Sequence, residues 1–370
     1  MIIESEKLKD VSQKILTAVD SNELSVLTET LELKTLGNFL FMNVTNKEYF
    51  ASVKLNLNNP EEFHATVNAN LFLKLIAQIT TNDIELKVDG NALIVRGNGE
   101  YKLPLIYENG ELLNLPEIQI INKVKEFTIN SDILGSILTY NSKELLRGTI
   151  SKPVQKLYYI DEQGAITFTS GACVNSFTLS EPVKILLNNR LVKLFKLFDN
   201  CEVKFTLGYD ALSDEIIQTK VCFETDNIKL TAIISCDDTL LNSVPVNAIR
   251  NRANSEYLYS VTLDKNSLAQ TLSRLLLFTS AKNTLKPYSL FKFDRDRVTI
   301  WDSDKDNHED IVYVGSGLND IYEATLDIMD LKAVLDTCSE QYVTINFGNH
   351  QAIVLSRGNI KNIIPEIKVI

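Results

Sequence analysis

Between residues 67 and 105 the apolar positions fall first at helical and then at strand spacing. Leu71, Phe72, Leu75, Ile76 and Ile79 share one helical arc, with Lys74, Ala77 and Gln78 across from them. This predicts a short amphipathic helix whose core side carries Leu71 and Leu75. Ile84, Leu86 and Val88 then alternate with Glu85 and Lys87, Asp89, Gly90 and Asn91 supply a turn, and Leu93, Ile94 and Val95 return. A further short strand carries Tyr101 and Leu103.

The unit recurs. Over residues 185–207, Val192, Lys193 and Leu194 align with Leu73, Lys74 and Leu75, and a strand of Val203, Phe205 and Leu207 follows. Over 325–347, Leu331 and Lys332 take the same places, followed by Val343, Ile345 and Phe347. Segments 2–19, 127–143 and 261–282 form a second helix family, read as strand, polar or acidic cap, helix. The chain thus holds six strand–helix units, two in each third. Segments 39–44, 158–168, 221–234 and 290–300 alternate and are rich in Val, Ile, Phe, Tyr and Thr, as strands are.

The pattern breaks near 110–125, at Leu115, Pro116, Glu117 and Ile118, and near 237–256, at Pro245, Asn247 and Asn251. Three duplicated domains follow: 1–123, 124–250 and 251–370. The predicted class is α+β, each domain packing two helices on antiparallel sheets. A solenoid is excluded, because its repeats run about 20–50 residues.

The composition is that of an ordinary globular chain, 45% hydrophobic and 23% charged over 370 residues. No apolar run approaches the roughly 18 residues of a membrane helix. Glu4, Glu6 and Asp10 near the start do not suit a signal peptide, so a cytoplasmic protein without a membrane partner is expected. Cys173, Cys201, Cys222, Cys236 and Cys338 show no paired spacing and read as reduced thiols.

A net charge of −11 taken alone argues against a nucleic-acid partner. Its distribution changes that reading. Residues 188–198 carry Arg190, Lys193 and Lys196 with no acid, and 265–282 carry Lys265, Arg274 and Lys282 with no acid. Leu187, Leu191, Leu194, Phe195 and Phe198 form the opposite, apolar stripe of the first of these. Lys14 and Lys74 stand on two further helices, while 327–338 is acidic through Asp327, Asp330 and Asp336. Any one such helix is explained by solvation. Basic helices recurring on an acidic chain point to a polyanion.

Catalytic chemistry is not found. His64, His308 and His350 lack metal-ligand spacing. Gly97, Asn98 and Gly99 are not followed by the helix a phosphate cradle needs. Asp302, Asp304 and Asp306 open like a calcium loop, but Asn307 and Tyr313 stand where Gly and Glu are required. A protein that is not an enzyme, with no cofactor and no metal, is expected.

Residues 67–117 resemble the end of the first domain of bacterial sliding clamps, the beta subunit of DNA polymerase III. There a helix leads into an alternating hairpin, a short basic-aromatic strand and an acidic linker with Leu and Pro. Here those parts are 70–79, 84–95, 101–105 and 108–116. The likeness is closest there, weaker over 157–174 and at the C-terminus, and extends over the whole chain in length and element order. It implies three DNA-clamp domains assembling into a homodimeric ring around double-stranded DNA, with helices lining the hole. Lys74, Arg190, Lys193, Lys196, Arg274 and Lys282 become pore residues, with Lys14, Lys143 and Arg147 behind them. Phosphate contacts of this kind hold DNA without reading its sequence, as sliding demands.

The resemblance also implies a ring joint and a partner cleft. Tyr101 and Leu103 of one copy would meet Leu277 and Phe278 of the next. DNA polymerase and a clamp-loader ATPase would dock, through short peptide motifs, in a cleft of Thr169, Gly171, Val174, Val244, Pro245, Ile363, Ile364, Pro365 and Ile367, the last four as an apolar tail. Ser170 replaces the family's Asp, and Ala172 and Cys173 replace its basic pair. The Asp-Gly-Arg-Phe-Pro segment is missing near 237–241. These departures suggest a divergent clamp from a phage or mobile element. The function implied is a polymerase processivity factor. The alternative is a clamp-fold platform or decoy that does not encircle DNA.

Overall fold

The computed structural model describes all residues except 21–24, 146–149, 213–214, 281–287, 316, 349–351 and 368–370, and omits the side chains of 144–145, 211–212, 215–217 and 279–280. Two compact units result: residues 1–135 with 190–235, and residues 136–189 with 236–370. Each holds an eight-stranded and a four-stranded antiparallel sheet.

In the first unit the eight strands run, in spatial order, Asn122–Asn130, Glu202–Leu212, Glu215–Glu224, Ile228–Ile234, Tyr49–Asn56, Phe39–Thr45, Thr30–Leu36 and His64–Asn68. A seam joins its halves, with Ile228 opposite Val53 and Ala232 opposite Tyr49. Strand alternation sends Leu31, Leu33, Leu40, Met42 and Val53 into the core. Helices Ser5–Leu16 and Ala69–Gln78 pack against each other and bury Leu8, Ile15, Phe72 and Ile76. The four-stranded sheet runs Ile2–Glu4, Asp83–Asp89, Ala92–Arg96, Glu100–Pro104.

The helix Ala69–Gln78 is capped as its sequence predicts, Asn68 Oδ1 accepting from the Leu71 amide at 2.9 Å. Its buried face is turned from the predicted one. Leu71 is 52% exposed and Leu73 only 2%. Ala69, Phe72, Leu73 and Ile76 make the i, i+3, i+4, i+7 stripe, and Leu75 lies on its flank. Three adjacent apolar residues, Leu71, Phe72 and Leu73, allow two such stripes, and packing chose between them. Residues 188–198 also differ from one straight helix. An α-turn, Asn189–Lys193, passes into a 3₁₀ turn, Leu194–Leu197, and Leu187 belongs to the strand Lys184–Asn188. Leu191, Leu194, Phe195 and Phe198 are buried as predicted, with Phe195 edge-on to Phe223 at 5.1 Å.

In the second unit the eight strands run Lys184–Asn188, Leu157–Asp161, Gly164–Phe168, Ala172–Ser176, Ile360–Pro365, Ala352–Arg357, Tyr342–Phe347 and Tyr259–Asp264. Its seam sets Ala172 opposite Ile363 and Asn175 opposite Ile360. The four-stranded sheet runs His308–Val312, Arg297–Trp301, Tyr288–Phe293, Tyr322–Asp327. Helices Lys265–Ser280 and Ile328–Leu335 pack together over a core that includes Leu268, Leu272, Phe293 and Phe347. Asp264 and Asp327 cap them by accepting from the Ser267 and Met329 amides at 2.7 and 2.9 Å.

The helix predicted over 131–143 is interrupted: Ser131–Ser136, a π-turn Ile137–Asn141, then Ser142–Leu145. Asn141 is fully buried there, and Thr167 Oγ1 donates to its carbonyl at 3.0 Å. The extra residue of the turn brings this polar side chain to the sheet. All five cysteines are free thiols. Among the described residues no helix is long and apolar enough to cross a membrane.

Candidate functional site

The predicted basic residues fall into two sets. Lys14, Lys74, Lys193 and Lys196 are exposed on helices of the first unit. Each follows or precedes buried apolar residues, so amphipathic spacing alone turns the ammonium outward. Arg190 and Arg274 are instead held by carboxylates. Arg190 Nε lies 3.3 Å from Asp20 Oδ2, and its Nη1 lies 3.7 Å from Glu48 Oε2. Arg274 donates from Nε and Nη2 to Glu309, which holds that carboxyl below the usual carboxylate range. These two guanidinium groups therefore carry less uncompensated charge than the helix sums imply.

Lys143 is exposed but belongs elsewhere. With Tyr140, Gly171, Asp330 and Pro365 it lines a small pocket of the second unit, beside predicted cleft residues. Arg147 and Lys282 lie outside the described residues.

The second unit brings the cleft residues together in part. Val174, Val244 and Ile363 share an apolar cluster with Val154, Tyr159 and Ile249, fringed by the half-exposed Phe168, Leu240, Leu241 and Tyr257. The linker helices Asp238–Ser243 and Val246–Asn254 supply Leu240, Leu241 and Ile249. Thr169 is buried, its amide donating to the Gly171 carbonyl at 2.9 Å, and Pro245 is exposed. Arg250 donates to both oxygens of buried Asp161, at 2.8 and 2.6 Å. Burial, then the nearby Asp161, pushes the Tyr159 phenol up to about 12. Sequence reasoning missed Leu240, Leu241, Arg250 and Tyr257. Their signal was the linker's own apolar spacing, which reads as a break when only strand alternation is sought.

The C-terminal segment is not a free tail. Ile360–Pro365 is an interior strand, paired on both sides, so Ile363 and Ile364 point to opposite faces and enter different clusters. Pro365 and Ile367 are half-buried, and the Ile367 amide donates to the Thr325 carbonyl at 2.8 Å. Tyr322 donates to Glu366 at 2.7 Å, while burial holds that carboxyl above its usual range.

The ring-joint residues divide likewise. Tyr101 is exposed on the edge strand Glu100–Pro104. The Leu103 side chain, on the same strand, is buried in its own unit. Leu277 and Phe278 lie in the last turn of the helix Lys265–Ser280, 69% and 47% exposed. That helix packs on the edge strand His308–Val312, whose Val312 is exposed. The Asp302 loop closes on itself, Asp302 accepting from the Asp306 amide and from Asn307 Nδ2 at 2.9 and 2.7 Å. No group of three metal-ligating side chains occurs among the described residues.

No family model and no curated protein matches the sequence. Solved structures do match. The DNA polymerase III subunit beta of Pseudomonas aeruginosa superposes at TM-score 0.78, with 13% identity and 100% of each chain covered. The Thermotoga maritima beta subunit gives 0.77 at 12% identity, covering 100% of this chain and 99% of that one. The Helicobacter pylori beta clamp bound to a DNA ligase peptide gives 0.74 at 13% identity, with the same coverage. From end to end, the chain has the fold of the sliding clamp, the DNA polymerase III beta subunit.

Proposed function

We propose that the chain is a processivity clamp: two copies close head to tail around duplex DNA and tether a polymerase without themselves catalysing a reaction. The observation that supports this reading best is an open edge strand on each four-stranded sheet. Twice within the chain an eight-stranded sheet forms by pairing two edge strands, Ile228–Ile234 with Tyr49–Asn56 and Ala172–Ser176 with Ile360–Pro365. Glu100–Pro104 and His308–Val312 are edges left over. Exposed edges invite pairing with another chain. Joining one edge to the other in a second copy repeats the same construction, and two such joints close a ring. Tyr101, Leu277 and Phe278 would then lose their exposure. In this reading the repeats are 1–123, 124–250 and 251–370, and each eight-stranded sheet draws strands from two of them.

Lys14, Lys74, Lys193 and Lys196 supply phosphate contacts without sequence preference, and Arg274 adds to them as far as Glu309 allows. The apolar cluster around Val174, Val244 and Ile363 receives short peptides from a polymerase and a clamp loader. Such a clamp works in the cytoplasm, on the nucleoid.

Loading onto nicked circular DNA, followed by linearisation, tests the topology. The protein stays on the circle and slips from the line; equal retention on both overturns the proposal. Sedimentation of the free protein is expected at twice the chain mass. A persistent monomer leaves only a peptide-binding platform.

A further inference from the structure

The eight-stranded sheet of the first unit carries a groove of about 450 Å³ that the sites above do not use. Linker residues Asn114, Leu115 and Glu117 line it together with residues 224–227. Strand register sets the floor. Glu32 stands opposite Asn43, Asn43 opposite Ser52, and Ser52 opposite Lys229, so one polar row crosses four strands. The neighbouring row is Lys34, Phe41 and Lys54.

Two independent features point to an occupant. The first is charge. Glu32 is buried and accepts from Asn43 Nδ2 at 2.8 Å, with His64 Nε2 at 3.1 Å from its other oxygen. Lys229 pairs with Glu117 at 2.5 Å. Lys34 and Lys54 make no ion pair among the described residues; Lys54 lies over the Phe39 ring at 4.7 Å. Two cations outside any such ion pair, on either side of Phe41 in the same row, select a carboxylate beside an apolar side chain. Glu224 and Asp226 line the end next to Lys54, whose amide donates to the Asn227 carbonyl at 2.9 Å, so they repel such a group and turn it towards Lys34 across the sheet.

The second feature is a missing donor. Asn43 is 8% exposed, and its Oδ1, shut off from solvent at the floor, accepts no hydrogen bond. Its amide cannot be turned over, because Nδ2 is committed to the Glu32 carboxylate. A buried acceptor left unpaired is costly. A backbone N–H pressed onto the floor, with the small side-chain shift this entails, supplies the donor. A bare anion supplies none and leaves the half-exposed Phe41 uncovered.

We infer that this groove is a second peptide-docking site, for an extended acidic segment with a Leu or Phe next to Glu or Asp. The inference stands whether or not the ring closes around DNA.

The probe is a fluorescein-labelled Gly-Glu-Glu-Leu-Phe-Gly peptide titrated with the full chain, read by anisotropy. Saturable binding is expected. Lys34→Glu with Lys54→Glu weakens it roughly tenfold, and replacing the peptide's glutamates by lysine does the same. The uncharged pair Lys34→Met with Lys54→Met gives a smaller loss. Pro245→Asp, in the cleft of the other unit, changes nothing. Both lysines are on the surface, and melting curves verify that the variants fold. The inference is overturned by absence of saturable binding up to millimolar protein, by binding indifferent to either lysine pair or to peptide charge, or by loss in Pro245→Asp.

Discussion

Arg274 grips Glu309 with two hydrogen bonds, Nε to Oε1 at 2.6 Å and Nη2 to Oε2 at 2.5 Å. Thr271 Oγ1 donates to the same carboxylate at 2.8 Å, so Glu309 is fixed as well as paired. A phosphate would have to compete with that carboxylate for the guanidinium. Glu309→Gln removes the competing charge and keeps the side-chain shape. Duplex binding should strengthen, and the slope of log affinity against log salt should steepen by about one. A salt titration by fluorescence anisotropy measures both. An unchanged slope would show that Arg274 does not face DNA.

Lys193 and Lys196 have no such competitor among the described residues and are exposed. Lys193→Glu with Lys196→Glu should lower the salt slope by roughly two and leave the melting temperature unmoved. Arg190→Ala separates the two roles, because it leaves buried Asp20 without its cation. Its effect should appear mainly as a stability loss of about 1–2 kcal/mol, read by denaturant unfolding.

Leu277 and Phe278 end the helix Lys265–Ser280 with apolar side chains in water. Leu277→Asp with Phe278→Asp should leave the fold intact, since neither side chain is buried in the chain itself. In sedimentation the double variant should run as a monomer at concentrations where the parent is a dimer. A variant that stays dimeric removes these residues from the joint.

Arg250 and Asp161 fasten the linker helix Val246–Asn254 to the strand Leu157–Asp161. Both side chains are largely buried, so Arg250→Met strands a carboxylate in the interior. A loss of about 3–5 kcal/mol is expected, and the matched pair Arg250→Met with Asp161→Asn should recover most of it. No recovery would place the cost in packing instead.

The sequence revealed the elements and their repetition better than it revealed their rotation. Asn68, Asp264 and Asp327 cap helices where the sequence predicts caps, because a cap is a local event. The choice of Leu73 over Leu71 depends on what lies opposite, which local spacing does not contain. Leu103 matched a family position yet fills its own core, and Ile364 turns away from its neighbour Ile363 because strand residues alternate. Counting helix charges likewise overlooked Asp20, Glu48 and Glu309, which reach Arg190 and Arg274 from other elements.

Glu366 offers a test by pH. Burial raises its folded value above the ordinary 4.5, while the Tyr322 hydroxyl hydrogen bond pulls the other way. The neutral form is therefore the one the folded state prefers. The stabilisation is complete below the unfolded value and is lost as pH rises through the folded one. Once ionised, Glu366 is a half-buried charge just after the strand Ile360–Pro365. Glu366→Gln keeps a carbonyl to accept from Tyr322 and removes that charge. The variant should melt higher than the parent near neutral pH, by about a degree because solvent screens a half-exposed charge, and coincide with it at about pH 4. Melting curves at both pH values decide the matter. A variant that is less stable at neutral pH would mean that the ionised carboxylate holds the segment, and the sign of the argument would reverse.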